Sequence, residues 1–254
     1  MNNEAKREGT RLSKKVSMIS KFSRNEAEKL INAGKVFVNG EMIKSATKFV
    51  LDSDKVEVRG EKMIPSKLSS ETKILALHKP RGLVVTRSDE KARKTIYSIL
   101  PPTFSNFIYI GRLDIQSEGL LLLTNNGDLA HEMELPANCY EREYEVRVFG
   151  IVSDDKINRM MKGVSIDSLL YKAKSVEVKK RKTDDSKNTW ISVVLTGGKN
   201  REIRKLMEFF NLKVNRLIRV RYGTVSIGAL PVGAYMELHR TKVAKILENA
   251  KKLQ

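Results

Sequence analysis

Between residues 111 and 127 the chain reads GRLDIQSEGLLLLTNNG, and no other stretch limits the fold as tightly. Two short apolar runs, 107–110 and 120–123, each have the length of a buried strand. The link between them holds Arg112, Asp114, Gln116, Ser117 and Glu118, with Gly111 and Gly119 at its ends. A polar, glycine-bracketed loop joining buried strands is where a rigid scaffold presents working side chains. Taken alone, a carboxylate such as Asp114 in this setting is more often a turn former than a catalyst.

Charge narrows the partner. The 254-residue chain carries a formal net charge of +18, so a polyanion is expected. Nucleic acid and an anionic membrane surface both meet that criterion. No apolar run approaches the ~18 residues of a spanning helix, and the charged N-terminus does not read as a signal peptide. The single Cys139 allows no internal disulfide and fits a reducing compartment, so the expected location is cytoplasmic. His78, His131 and His239 lie far apart and lack partners at ligand spacing, so no metal is expected. Gly197, Gly198 and Lys199 lack the rest of a phosphate-loop pattern, and no organic cofactor is implied.

The first sixty residues read as a compact unit. Leu12, Val16, Ile19 and Phe22 recur at helical spacing, and Ser23 with Glu26 forms a capping box for a second helix. That helix is expected to bury Ala27, Leu30 and Ile31 and to end at Gly34. Val36 to Val38 followed by Asn39-Gly40 is a hairpin signal, with further short strands at 50–51 and 56–58. Residues 61–73 are polar, contain Pro65 and show no period, which reads as a linker.

Beyond the linker, strands are expected at 74–77, 83–86, 143–149, 176–178 and 190–195, a turn at Asn126-Gly127, and helices near 128–134, 157–161 and 201–210. The run 179–182 reads as an exposed basic hairpin tip. Residues 199–221 hold 8 basic and 2 acidic side chains, the strongest anion-binding candidate in the chain. Within it Leu217 breaks an apolar-basic alternation by falling on the basic face.

With those residues in view, GRLDxxSEGLLLLTN resembles the active-site signature of pseudouridine synthases, in particular the ribosomal-RNA group with an N-terminal S4-like RNA-binding domain. SRxEAxxLIxxGxVxVNG at 23–40 resembles that S4-like domain. The KPxG turn at 79–82, the basic-x-Tyr-x-Val pattern at 142–146 and NREIRKL at 200–206, followed by a Leu-x-Arg strand, are similar to the catalytic domain. The resemblance implies an α+β chain. An S4-like α/β module (10–60) and a linker (61–73) lead to a pseudouridine synthase domain (74–240) with a mixed, mainly antiparallel sheet, flanking helices and a central cleft. A basic C-terminal tail helix (241–254) follows.

By the same resemblance Asp114 is the catalytic aspartate, Tyr144 stacks on the target uracil, Arg204 pairs with Asp114, and Leu217 packs beside the base. Arg24, Lys29 and Lys35 are expected against phosphates in the small domain. Lys79, Arg81, Arg112, Arg201, Arg219 and Arg221 are the RNA-binding candidates of the large one. For each of these cations an ordinary solvated or structural charge is the alternative.

Pseudouridine formation breaks a glycosidic bond, turns the base and rejoins it through carbon, which needs a carboxylate but no cofactor or metal. The implied partner is ribosomal RNA or a pre-ribosomal particle, of the large subunit in preference to the small, bound by a monomer. The rival reading is an RNA-binding assembly factor with a lapsed enzyme domain; Asp114, Tyr144, Arg204 and Leu217 together argue against it. The chain departs from the family pattern at Asn126 (usually Asp), Arg142 (usually Lys), Gly197 (often Glu) and Glu202 (commonly Gln). None removes a proposed catalytic group, and Glu202 and Gly197, which the resemblance sets at the cleft border, are expected to bear on substrate choice.

Overall fold

The structure is a computed structural model that describes residues 9–20, 22, 24–60, 71–179 and 188–252. The Ser23 end of the capping box, most of the 61–73 linker and Lys180 to Lys182 of the basic tip lie outside the described residues. The chain divides into two compact units, residues 1–71 and 72–254.

In the first unit β1 (Thr10–Arg11) leads into α1 (Leu12–Met18), followed by α2 (Arg24–Asn32). Three strands, β2 (Val36–Val38), β3 (Glu41–Ile43) and β5 (Val56–Val58), form an antiparallel sheet in the order β3-β2-β5. β4 (Phe49–Val50) pairs with β1. The helix α1 stops at Met18, short of Ile19 and Phe22, which still pack against the core of Leu12, Val16, Ala27 and Ile31. At the end of α2, Gly34 (φ 69) donates its N–H to Ile31 and Lys35 donates to Leu30, a Schellman closure that needs a left-handed residue at Gly34. Asn39 and Gly40 both take positive φ, as a two-residue hairpin turn requires.

In the second unit one sheet dominates. Its main strands are β6 (Ile74–Lys79), β8 (Glu118–Thr124), β9 (Arg142–Phe149), β12 (Ser175–Lys179), β13 (Asn188–Leu195), β14 (Lys213–Tyr222) and β16 (Tyr235–Glu237). They run β12-β13-β9-β14-β8-β6-β16, with β7 (Ile108–Ile110) on β8 and β15 (Val225–Ser226) on β14. Every pairing is antiparallel except β14 on β8. A separate hairpin joins β10 (Val164–Ile166) to β11 (Leu169–Tyr171).

The unbroken leucines of β8 have partners on both faces. Leu120 and Leu122 face α3 (Gly127–Glu134) and α6 (Arg240–Lys252), while Leu121 and Leu123 face Leu83, Val85, Ile96 and Phe107. A strand covered on both sides reads as a continuous apolar run. The other half of the sheet packs Val146, Val148, Ile191 and Val193 against α4 (Asp154–Lys162) and α5 (Glu202–Phe209).

Three expectations change here. Residues 83–86 form no strand: Val84 makes one isolated bridge to Thr95, and Leu83 and Val85 serve as core anchors. Asn126 is the N-cap of α3, its side chain accepting from the Asp128 and Leu129 N–H groups. The tail helix α6 is part of the core, burying Val243, Ile246 and Ala250.

Candidate active site

Asp114 lies in the loop between β7 and β8, and that loop is fixed through its backbone. Ser117 N–H donates to the Asp114 carbonyl, Gly82 N–H to that of Ile115, and Arg204 Nη2 to that of Gln116 at 3.2 Å. Lys79 donates Nζ to the carbonyls of Pro80 (3.0 Å), Asp114 (3.2 Å) and Ser117 (2.8 Å). Four consecutive carbonyls, 114 to 117, are therefore each held by a donor from the loop or from outside it. At its two ends Gly111 (φ 68) and Gly119 (φ 108) take left-handed conformations. A Cβ on Gly119 would stand 2.3 Å from the Arg219 carbonyl oxygen, so the parallel pairing of β8 with β14 requires glycine there.

The Asp114 side chain is 34% exposed, and two arginines approach it. Arg201 Nη1 is 3.8 Å and Arg204 Nε 4.0 Å from Asp114 Oδ2. These are ion pairs at contact distance and not hydrogen bonds. Among the described residues the carboxylate accepts no hydrogen bond, so its oxygens are screened by positive charge yet open to the cleft. Burial draws the Arg204 guanidinium below its ordinary pKa, with neighbouring Arg201 adding to this and Asp114 opposing it.

The cleft has a volume of about 450 Å³, within the range of small-molecule and nucleotide sites. Tyr144 on β9 and Leu217 on β14 line it together with Asp114 and Arg204. Tyr144 sits opposite Arg219 in the β9–β14 register, and Leu217, two residues earlier on β14, opposes Val146. The same wall contains six cations, Arg112, Arg142, Lys199, Arg201, Arg204 and Arg219, against the acids Asp114, Glu134 and Glu202. A concave site with that excess concentrates an anionic chain.

The cations proposed for RNA divide into two groups. Arg112 and Arg201 are exposed at the cleft, and Arg24, Lys29 and Lys35 are exposed on the first unit. Lys79 and Arg219 are corrected. Lys79 is 0% and Arg219 1% exposed, and both serve the interior. Arg219 donates Nε to the Leu120 carbonyl and lies over the Tyr222 ring, 5.1 Å from its centroid. Arg142 covers the same ring at 4.9 Å and donates Nη2 to the Tyr222 hydroxyl.

Arg81 and Arg221 remain partly exposed, each paired with carboxylates. Arg81 bonds Glu118 Oε1 at 3.1 Å, and Arg221 bonds Glu143 Oε2 at 2.9 Å and Glu141 Oε2 at 3.1 Å. Burial alone would raise the Glu118 carboxyl, but Arg216 and Arg81 hold it below its ordinary value. The sequence set Lys199 at the start of the basic run and Glu202 and Gly197 beside the cleft, and all three line it; what it missed is the buried role of Arg142. A charge at an inward position of an alternating strand is the signal that could have found it.

The pattern of RNA pseudouridylate synthases matches residues 73–209, and that of the S4 domain matches residues 10–56. A Rickettsia felis protein described as an uncharacterized RNA pseudouridine synthase is 43% identical over 94% of this chain and 99% of its own length. Ribosomal large subunit pseudouridine synthase B of Haemophilus influenzae is 38% identical over 97% of this chain and 70% of that protein. A solved pseudouridylate synthase superposes with a TM-score of 0.64 at 24% identity, covering 94% of this chain and all of that one, a likeness of fold. The chain belongs to the RNA pseudouridylate synthase family, isomerases that convert uridine in RNA to pseudouridine, and it carries an S4 RNA-binding domain ahead of the catalytic domain.

Proposed function

We propose that this protein isomerises a uridine of large-subunit ribosomal RNA, with Asp114 as the catalytic carboxylate. The observation that carries this reading is the Asp114 carboxylate, open in a cation-lined cleft beside Tyr144 and Leu217. The large-subunit assignment draws on relatives from Haemophilus influenzae, Yersinia pestis and Shigella flexneri at 37–38% identity, each described as acting on that subunit.

In this mechanism the target nucleotide leaves its stack, at a cost of a few kcal/mol. Stacking of the uracil on Tyr144 returns ~1–3 kcal/mol, and Leu217 packs beside the ring. Asp114 initiates cleavage of the C1′–N1 bond, with the Arg201 and Arg204 guanidinium groups beside it. The freed base turns, C5 bonds to C1′, the C5 proton departs and N1 regains one, so nothing is oxidised and no group enters from solution. Arg112 at the rim holds a phosphate or fills the vacated stack. The exposed Arg24, Lys29 and Lys35 of the S4 domain hold flanking phosphates.

The partner is ribosomal RNA or a pre-ribosomal particle, met by a monomer in the cytoplasm. Among the described residues no helix is long and apolar enough to cross a membrane. Carbodiimide mapping of deproteinised large- and small-subunit RNA after incubation with the purified protein tests the target. One new stop in the large-subunit RNA is expected; a stop confined to the small-subunit RNA would move the target there.

A further inference from the structure

The segment 196–201, between β13 and α5, carries Arg201 and leads into the first turn of α5, which carries Arg204, yet it contains neither helix nor strand. Its last residue, Arg201, adopts φ 52 and ψ 33, a left-handed conformation that a non-glycine residue holds at a cost of ~1–2 kcal/mol. Glycine would relieve that strain but would remove the guanidinium lying 3.8 Å from Asp114 Oδ2. Something nearby has to hold the turn.

Glu202 supplies the hold. It is the first residue of α5 and only 6% exposed, although it is charged and lines the cleft wall. Its Oε2 accepts the Lys199 N–H at 3.0 Å, while its own N–H donates to the Lys199 carbonyl at 3.2 Å. The Lys199 ammonium stands 3.7 Å from Oε1. The carboxylate occupies the space beside Gly197: a Cβ there would lie 2.9 Å from Oε1 and 3.1 Å from Oε2. The Gly197 carbonyl is in turn gripped by Arg142 Nη1. The turn is thus closed by reciprocal bonds between Lys199 and Glu202, fitted into a gap that exists because residue 197 has no side chain.

We infer that Glu202 is a positioning residue for the isomerisation: its buried carboxylate locks the 197–201 turn and so sets Arg201 and Arg204 against Asp114. The inference rests on the reading of Asp114 as the catalytic carboxylate. Glu202 is not itself a catalytic group, since its oxygens are taken up by Lys199 and by packing on Gly197. Arg204 follows Glu202 on the same first turn of α5, so a shift of that turn moves both arginines together. Displacement of a catalytic group by ~1 Å costs up to ~100-fold in rate while leaving contacts along the RNA chain intact.

The test uses the full chain with Glu202→Gln, Glu202→Ala, Gly197→Ala and the double variant Gly197→Ala/Glu202→Ala. Single-turnover rate, RNA affinity, thermal midpoint and hydrogen exchange of the Lys199 amide are read for each. Glu202→Gln keeps an oxygen for the Lys199 N–H and should stay within ~3-fold of wild type in rate. Glu202→Ala should lose ~10–100-fold in rate with affinity changed less than ~3-fold, and the Lys199 amide should exchange at least ~10-fold faster. Gly197→Ala should slow the wild-type enzyme but add no loss in the Glu202→Ala background. A Glu202→Ala enzyme with wild-type rate overturns the inference, as does a rate loss matched by equal losses in affinity and thermal midpoint. If the wild-type chain itself formed no pseudouridine, the functional reading would fall instead, while the exchange data would still report on the turn.

Discussion

Lys79 places its ammonium where no solvent reaches it and gives its N–H donors to the carbonyls of Pro80, Asp114 and Ser117. Burial pushes its pKa down to about 8, with Asp114 and Glu118 opposing the shift. Because the native value lies below the unfolded one, the unfolded chain binds more protons from about pH 8 to 10.5, and this group's contribution to stability rises with pH across that window. Catalysis should run the other way. A neutral amine has two N–H donors for three carbonyls, so the Asp114 loop loosens above about pH 8. Wild-type single-turnover rate should therefore fall on an alkaline limb near that pH. Lys79→Met should lose the limb, run at least ~10-fold slower throughout, and cost ~3 kcal/mol in denaturant unfolding. A limb unchanged in Lys79→Met would assign it to another group. Sequence motifs named Asp114, Tyr144, Arg204 and Leu217, and the fold brings all four to one cleft. They could not reveal which cations face inward. Lys79 and Arg219 read as basic residues in basic stretches, and only the carbonyls and the aromatic ring around them, contributed from distant sequence, fix their buried role.

Among the elements, β14 departs furthest from its sequence pattern. A strict period of two placed Leu217 on a basic, solvent-facing side. In the fold Leu217, Arg219 and Tyr222 are all buried, and the odd spacing between the last two coincides with a register shift between Arg219 and Arg221. A bulge inserts a residue and turns the following side chains over. It lets β14 present Leu217 and Arg219 to the cleft while Arg221 meets Glu141 and Glu143. The runs of β6 and β8 were legible because strands covered on both faces need no alternation. The short pair β10–β11 left no comparable trace, and Asn126 read as a turn because capping and turning use the same residue types. Asn and Asp rank together as N-caps, which explains the exchange at this position. Gly119→Ala should part β8 from β14, given the 2.3 Å approach of its Cβ to the Arg219 carbonyl. A loss of more than ~3 kcal/mol in denaturant unfolding is expected; a stable, active Gly119→Ala protein would contradict the tight parallel pairing.

At the scale of the molecule, motif order along the chain conveyed two domains, but not the strand order β12-β13-β9-β14-β8-β6-β16 or the packing of α6 into the core. Both depend on contacts between residues far apart in sequence. Net charge of +18 indicated a polyanion, and the cleft lining holds the exposed cations Arg112, Lys199 and Arg201. If the exposed Arg24 and Lys29 of the S4 domain each hold a phosphate, changing both to Ala should flatten the dependence of log affinity on log salt by ~1.4–1.8. An unchanged slope would remove them from the interface. The central claim is that Asp114 opens the glycosidic bond, and the most direct measurement compares pseudouridine formation and RNA affinity for wild type and Asp114→Asn on the same large-subunit RNA. Asp114→Asn should form no product, with affinity within ~3-fold of wild type. Near-wild-type turnover by that variant would contradict the central claim.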